Sequence, residues 1–106
     1  MKKDVLDAIQ FSEEISSIEA FAANPLYRKA IVMSIINIGE LTKNLPDDFR
    51  SAHQEIQWRQ IAGMRDIAAH GYQIIDDEIV WDVVKNYLPK LLGFILTQQE
   101  NEVNEP

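Results

Sequence analysis

Cysteine is missing from this chain of 106 residues, and glycine and proline are scarce, at four each. Without thiols there can be no disulfide, no thiolate metal site and no cysteine nucleophile, so packing alone must hold the fold. The same lack fits a reducing cytoplasm, which is the expected location. Scarce turn formers among many helix formers predict helices joined by short connections. Positive charge is short too: ten Lys and Arg stand against 17 Asp and Glu, a formal net charge of −7. That balance speaks against a polyanion-binding coat. It leaves room for an enzyme that touches one or two phosphates in a local basic site, and it suits a positively charged partner.

Long apolar runs are also lacking. The run Ile31–Ile38 is broken by Ser34 and Asn37, and nothing approaches the stretch of about 18 apolar residues that a membrane span needs. Met1-Lys2-Lys3 resembles the start of a signal peptide, but Asp7, Glu13 and Glu14 interrupt any apolar core behind it. No membrane association is expected. Two histidines without cysteine give no metal-ligand spacing, so neither metal nor cofactor is expected.

What the chain does have is helical periodicity. A first helix is predicted over about Lys3–Ala22, with apolar residues at Ala8, Phe11, Ile15, Ile18 and Ala22. Asn24 reads as the cap of a second helix with Pro25 at its first position, where the missing N–H is harmless. This helix runs to about Leu45 and is apolar on two faces. One face carries Leu26, Ala30, Met33 and Asn37, the other Ile31, Ile35, Ile38 and Leu45, a pattern that predicts burial from two sides. A short helix follows Pro46 through Phe49 and Ala52. The third main helix begins near Gln57 or Trp58 and ends near His70, before Gly71. Asp76 or Asp77 caps the last, whose stripe is Val80, Val83, Val84, Tyr87, Leu88, Leu91, Ile95 and Leu96. Pro89 should kink that helix without ending it. The prediction is an all-α, up-and-down bundle of four main helices plus a short one. It forms a single domain over 1–97, with a polar tail over 98–106 that frays into solvent. A domain this small gains from pairing with a copy of itself.

The chemistry gathers in Trp58-Arg59-Gln60-Ile61-Ala62-Gly63-Met64-Arg65-Asp66-Ile67-Ala68-Ala69-His70-Gly71-Tyr72. Arg65, Asp66, His70 and Tyr72 place a guanidinium, a carboxylate, an imidazole and a phenol at one helix end. Asp66 and His70 are four apart, a spacing at which a carboxylate can fix the imidazole tautomer, although an exposed ion pair would look the same. Arg65 lies five residues before His70, about 140° around a helix, so the two can flank a phosphate at a shared edge. Ala68, Ala69 and Gly71 leave room for something to approach. Trp58 and Trp81 read as core or interface anchors, and His53 as a solvated residue with no constellation around it.

The string resembles the R-x4-H-x-Y signature of HEPN ribonucleases of the HepT-like kind, with Arg65, His70 and Tyr72 at its three positions. Trp58-Arg59-Gln60-Ile61 and Gly63-Met64 before it, Ile74, Asp76 and Trp81 after it, and Gly39-Glu40 in the second helix are similar to the family as well. The likeness extends over roughly Asp4–Leu96. It implies a HEPN-like bundle and a metal-independent endoribonuclease acting on RNA as a homodimer, with two motifs facing each other. In that reading His70 is general base or general acid and Arg65 holds the phosphate. Asp66 supports His70, while Glu40 either faces the site or is a buried partner of Arg65. The resemblance also implies a minimal nucleotidyltransferase partner acting as antitoxin, able to attach AMP to Tyr72; without such a partner Tyr72 is as readily a half-buried packing residue. The alternative function is a non-catalytic helical subunit that binds and regulates a nucleotidyltransferase.

Overall fold

The computed structural model describes the backbone of residues 1–68 and 76–104 and the side chains of 1–66 and 76–98. The described residues are helical and contain no strand. α1 spans Lys2–Ile15, α2 Ile18–Ala23, α3 Pro25–Lys43, α4 Asp47–Ala52, α5 Trp58–Ala68, α6 Asp77–Asp82 and α7 Leu88–Asn104. A π-helical segment, Val83–Tyr87, joins α6 to α7. α3 is the central element: α1 packs along it on one side and α5 on the other, while α7 lies against α1. The molecule measures 49 × 27 × 18 Å. Its shortest dimension holds about two helix diameters.

The caps follow from side-chain chemistry. Asn24 Oδ1 accepts from the Tyr27 N–H at 3.2 Å ahead of Pro25, and Asp76 Oδ1 accepts from the Glu78 N–H at 2.9 Å. Both satisfy amides that the first turn of a helix leaves without carbonyl partners.

The first predicted helix proves to be two. Ser16 takes a left-handed φ of 55° and ends α1, and Ser17 Oγ then accepts from the Ala20 N–H at 3.1 Å to start α2. Serine hydroxyls compete for backbone donors, and here that local chemistry outweighs the apolar periodicity. The cap turns the chain so that Phe21 is fully buried, with its ring centroid 5.5 Å from that of Trp81.

The last helix is continuous across Pro89, as the in-phase stripe predicts, but the adjustment precedes the proline. A proline ring clashes with the carbonyl four residues back, here that of Lys85. The helix widens over Val83–Tyr87, where the Leu88 N–H donates to the carbonyl of Val83, five residues back. Val80, Val83, Val84, Leu88 and Leu91 line the core, whereas Leu96 is left exposed. α7 runs to Asn104, beyond the domain boundary placed at 97.

α3 departs from its expected burial. Ile31, Ile35 and Ile38 are buried, together with Val32 and Thr42. The second stripe is not: Leu26 is 76% and Met33 45% exposed. The chain therefore buries α3 from one side only. His53 departs as well. Its ring lies 4.7 Å from that of Phe49 and 4.8 Å from that of Phe94, so it is packed among aromatics and not simply solvated. Trp58 is a core residue, 7% exposed, and its indole N–H donates to the His53 carbonyl at 2.8 Å.

Candidate functional site

The site is assembled where α3 and α5 touch, and Gly39 makes that contact possible. A Cβ at position 39 would lie 3.0 Å from Arg65 Cβ, 3.0 Å from the Ile61 carbonyl oxygen and 3.2 Å from the Arg65 amide nitrogen. Any larger residue would push α3 off α5, so the glycine sets the closeness of the two helices. On the α5 side of this contact Ile61 and Met64 are buried in the core, which fixes the rotation of the helix. Arg65 and Asp66 are thereby turned outward to the α3 edge.

At that edge four charged side chains form a chain of contacts. Arg65 Nε donates to Glu40 Oε2 at 2.7 Å, and Arg65 Nη1 donates to Asp66 Oδ1 at 3.2 Å. Lys43 Nζ donates to the same Asp66 oxygen at 3.2 Å. Charge-assisted bonds of this kind orient a guanidinium plane. Asp66 first and Glu40 second hold Arg65 above its ordinary pKa, so it stays cationic. Asp66 is held below the ordinary carboxylate pKa, first by Lys43 and then by Arg65. Two of the five guanidinium N–H groups are engaged, and the others remain able to meet a phosphate oxygen.

The four residues expected to act together are thus partly brought together. Glu40 is the partner of Arg65, half-exposed and not buried. Asp66 is bound to Arg65 and Lys43, a role in holding the arginine that the sequence did not suggest. His70 and Tyr72 lie outside the described residues. Lys43 was missed by sequence reasoning: it stands 23 residues from Asp66, and only the packing of α3 on α5 joins them.

Beside the network lies an open groove of about 650 Å³ between the end of α3, α4 and α5. Lys43, Arg50, Ser51, Arg59, Gly63 and Asp66 contribute to its walls. Of its acids, Asp47 accepts from Arg50 and Asp66 from Lys43 and Arg65. A second anchor links α3 with the start of α6, where Arg28 Nε donates to Asp77 Oδ1 at 2.7 Å. Among the described residues, no helix is long and apolar enough to cross a membrane.

The chain matches a family of known proteins over nearly its whole length. The family described as "Ribonuclease HepT-like" matches residues 1–97. A relative from Thermococcus cleftensis, "Probable ribonuclease HepT", is 36% identical over 94 residues, 86% of each chain. "Putative RNase TTE0752" of Caldanaerobacter subterraneus subsp. tengcongensis is 40% identical over 75 residues, covering 71% of this chain and 67% of its own. "Putative RNase MJ0127" of Methanocaldococcus jannaschii is 34% identical over 87 residues, 82% of this chain and 71% of its own. No solved structure is significantly similar. With the fold, the Gly39-Glu40 contact to Arg65 and these matches in agreement, the chain belongs to the HepT-like ribonuclease family.

Proposed function

We propose that this ribonuclease-family chain is an endoribonuclease toxin that cuts RNA as a homodimer, without a metal, through Arg65 and His70. The observation that carries the reading is the orientation of Arg65. Its guanidinium is anchored on one side by Glu40 and Asp66, which pre-sets the remaining N–H groups for a phosphate. His70, five residues on in sequence, supplies an imidazole that titrates near neutrality. In the reaction the ribose 2′-oxygen attacks phosphorus and the bond to the 5′-oxygen breaks, leaving a 2′,3′-cyclic phosphate. The 2′-hydroxyl proton goes to a base, and the departing 5′-oxygen receives one from an acid; His70 serves in either role. Arg65 stabilises the charge growing on the non-bridging oxygens.

The homodimer is supported by the uncovered stripe of α3. Leu26, Ala30, Met33 and Asn37 follow one another at helical spacing and lead to Glu40, the residue that holds Arg65. A second copy seated on that stripe would bury Leu26 and Met33 and bring two Arg65 sites towards each other. The antitoxin is a minimal nucleotidyltransferase that attaches AMP to Tyr72. An added phosphate two residues from His70 competes for Arg65 and fills the site.

The deciding experiment is growth after induced expression of the wild type against His70→Ala, with total RNA from both resolved on a gel. Toxicity with new RNA fragments, both absent in the variant, is the expected result. Intact RNA and normal growth from a folded wild type would overturn it in favour of a non-catalytic subunit that binds the nucleotidyltransferase. With the partner co-expressed, Tyr72→Phe is expected to stay toxic where the wild type is neutralised.

A further inference from the structure

The groove beside the Arg65 network carries cations that the chemistry at Arg65 does not use. Arg59 is exposed and makes no ion pair among the described residues. Arg50 gives one Nη to Asp47, while its Nε is buried with no hydrogen-bond partner, alone in this among the side-chain atoms of the described residues. A buried unsatisfied donor costs about 1–3 kcal/mol, so a rearrangement that offers this guanidinium an anion is favoured. The acids of the groove are already engaged by Arg50, Lys43 and Arg65, which leaves the charge of Arg59 uncompensated. In a chain of net charge −7 this is a local exception. The groove is also continuous with the site: Arg59, Gly63 and Asp66 recur at helical spacing on α5, and Asp66 touches Arg65.

From this we infer that the groove is a second phosphate-binding subsite, in which Arg59 and Arg50 hold the backbone of single-stranded RNA beyond the bond at Arg65. At about 650 Å³ it is within the range of sites that enclose a whole small ligand, and so more than one phosphate ion requires. Ser51 and Gln54 add neutral hydrogen-bonding groups, and Ala62 and Gly63 let a strand approach the helix. Arginine forks on phosphates position a strand without reading its bases. The subsite therefore favours polynucleotide over dinucleotide and leaves sequence choice to other contacts. The inference rests on the nuclease reading for the identity of its ligand.

The test is equilibrium binding of a fluorescent, short, single-stranded 2′-O-methyl oligonucleotide, which cannot be cut, read by anisotropy at several salt concentrations. Arg59→Gln is expected to weaken binding roughly five- to tenfold and to make the salt dependence shallower by about 0.7 in log–log slope, the share of one phosphate contact on a single strand. Arg50→Gln with Arg59→Gln should weaken it further, and Arg59→Lys should restore most of it. Lys3→Gln removes the same charge from α1, outside the groove, and should bind as wild type; circular dichroism checks that every variant is folded. Unchanged affinity and slope in the double variant would overturn the inference, as would an equal loss in Lys3→Gln or displacement by an acidic peptide as effective as by RNA. Cleavage of the matching 2′-hydroxyl RNA is followed in parallel. Binding lost in Arg59→Gln while the wild type cuts nothing sinks the nuclease reading and keeps the groove, and cleavage with unchanged binding does the reverse.

Discussion

Gly39 and Arg65 stand so close that a Cβ on the glycine would lie 3.0 Å from the Cβ of the arginine. The same Cβ would meet the Ile61 carbonyl at 3.0 Å, and a helix backbone cannot swing aside as a long side chain can. Gly39→Ala gains about 1 kcal/mol of helix propensity but loses more by overpacking. A net destabilisation of about 1–2 kcal/mol is expected in thermal melts, with RNA cleavage falling further than the melt alone explains. A variant as stable and active as the wild type would show that α3 can move off α5 freely.

Glu40→Gln removes the charge that holds Arg65 Nε but keeps a group of the same size. Because both side chains are well exposed, the melting temperature should hardly change. Cleavage should fall about ten- to a hundredfold, the usual consequence of a misplaced catalytic group. Arg65→Lys should cost at least as much, since an ammonium lacks the fork. Equal activity in Glu40→Gln would remove Glu40 from the site.

The network also sets what pH can do. Asp66 is held below its ordinary pKa by Lys43 and then Arg65, so its contribution is complete above the ordinary carboxylate range. It is lost only as pH falls through the lowered value, below about 4. Arg65 is raised and stays charged throughout. Between pH 5 and 8 neither group titrates, and any limb of the cleavage profile there belongs to His70. Asp66→Asn should therefore lower the rate at every pH while leaving the limb in place; a limb that vanished in this variant would contradict the assignment.

Much of this architecture was legible in the sequence, and the misses share a physical cause. Asn24-Pro25 and Asp76 mark their helix starts because a cap is a local event, settled within four residues. The break at Ser16-Ser17 is local too, yet the apolar spacing of Phe11, Ile15 and Ile18 runs straight through it and hides it. Lys43 and Arg50 could not be read at all, since their meaning lies in α4 and the end of α3 meeting α5. His53 looked solvated because the ring that covers it, Phe94, is 41 residues away. Arg65 and Asp66 were found because a motif marks them; the partners that orient them were not, apart from Glu40.

The exposed stripe of α3 predicts a monomeric variant. Leu26→Glu with Met33→Glu puts charges on residues that are 76% and 45% exposed within the chain, so the fold should survive with its melting point little changed at low concentration. Sedimentation should show half the mass of the wild type, and cleavage should drop sharply. An unaltered mass would place the dimer contact elsewhere.

Arg28→Ala should be felt in stability alone. The Arg28 side chain is 13% exposed and reaches Asp77 at 2.7 Å, which ties the start of α6 to α3. Removing it should cost about 1–3 kcal/mol in chemical denaturation.

The π segment has a consequence for the history of the chain. An α-helix advances 100° per residue, so a widened turn holds one residue more than the helix needs to keep its facing. Val83–Tyr87 has the form of a single-residue insertion that was absorbed as a bulge. Deleting one residue there would restore a regular helix only by turning everything after it through about a quarter of a circle. Leu88 and Leu91 would leave the core, and the half of the last helix that seals α1 would present its polar side inward. The insertion is thus locked in by what came to depend on it, and one-residue deletions in this segment should be among the least tolerated changes in the protein.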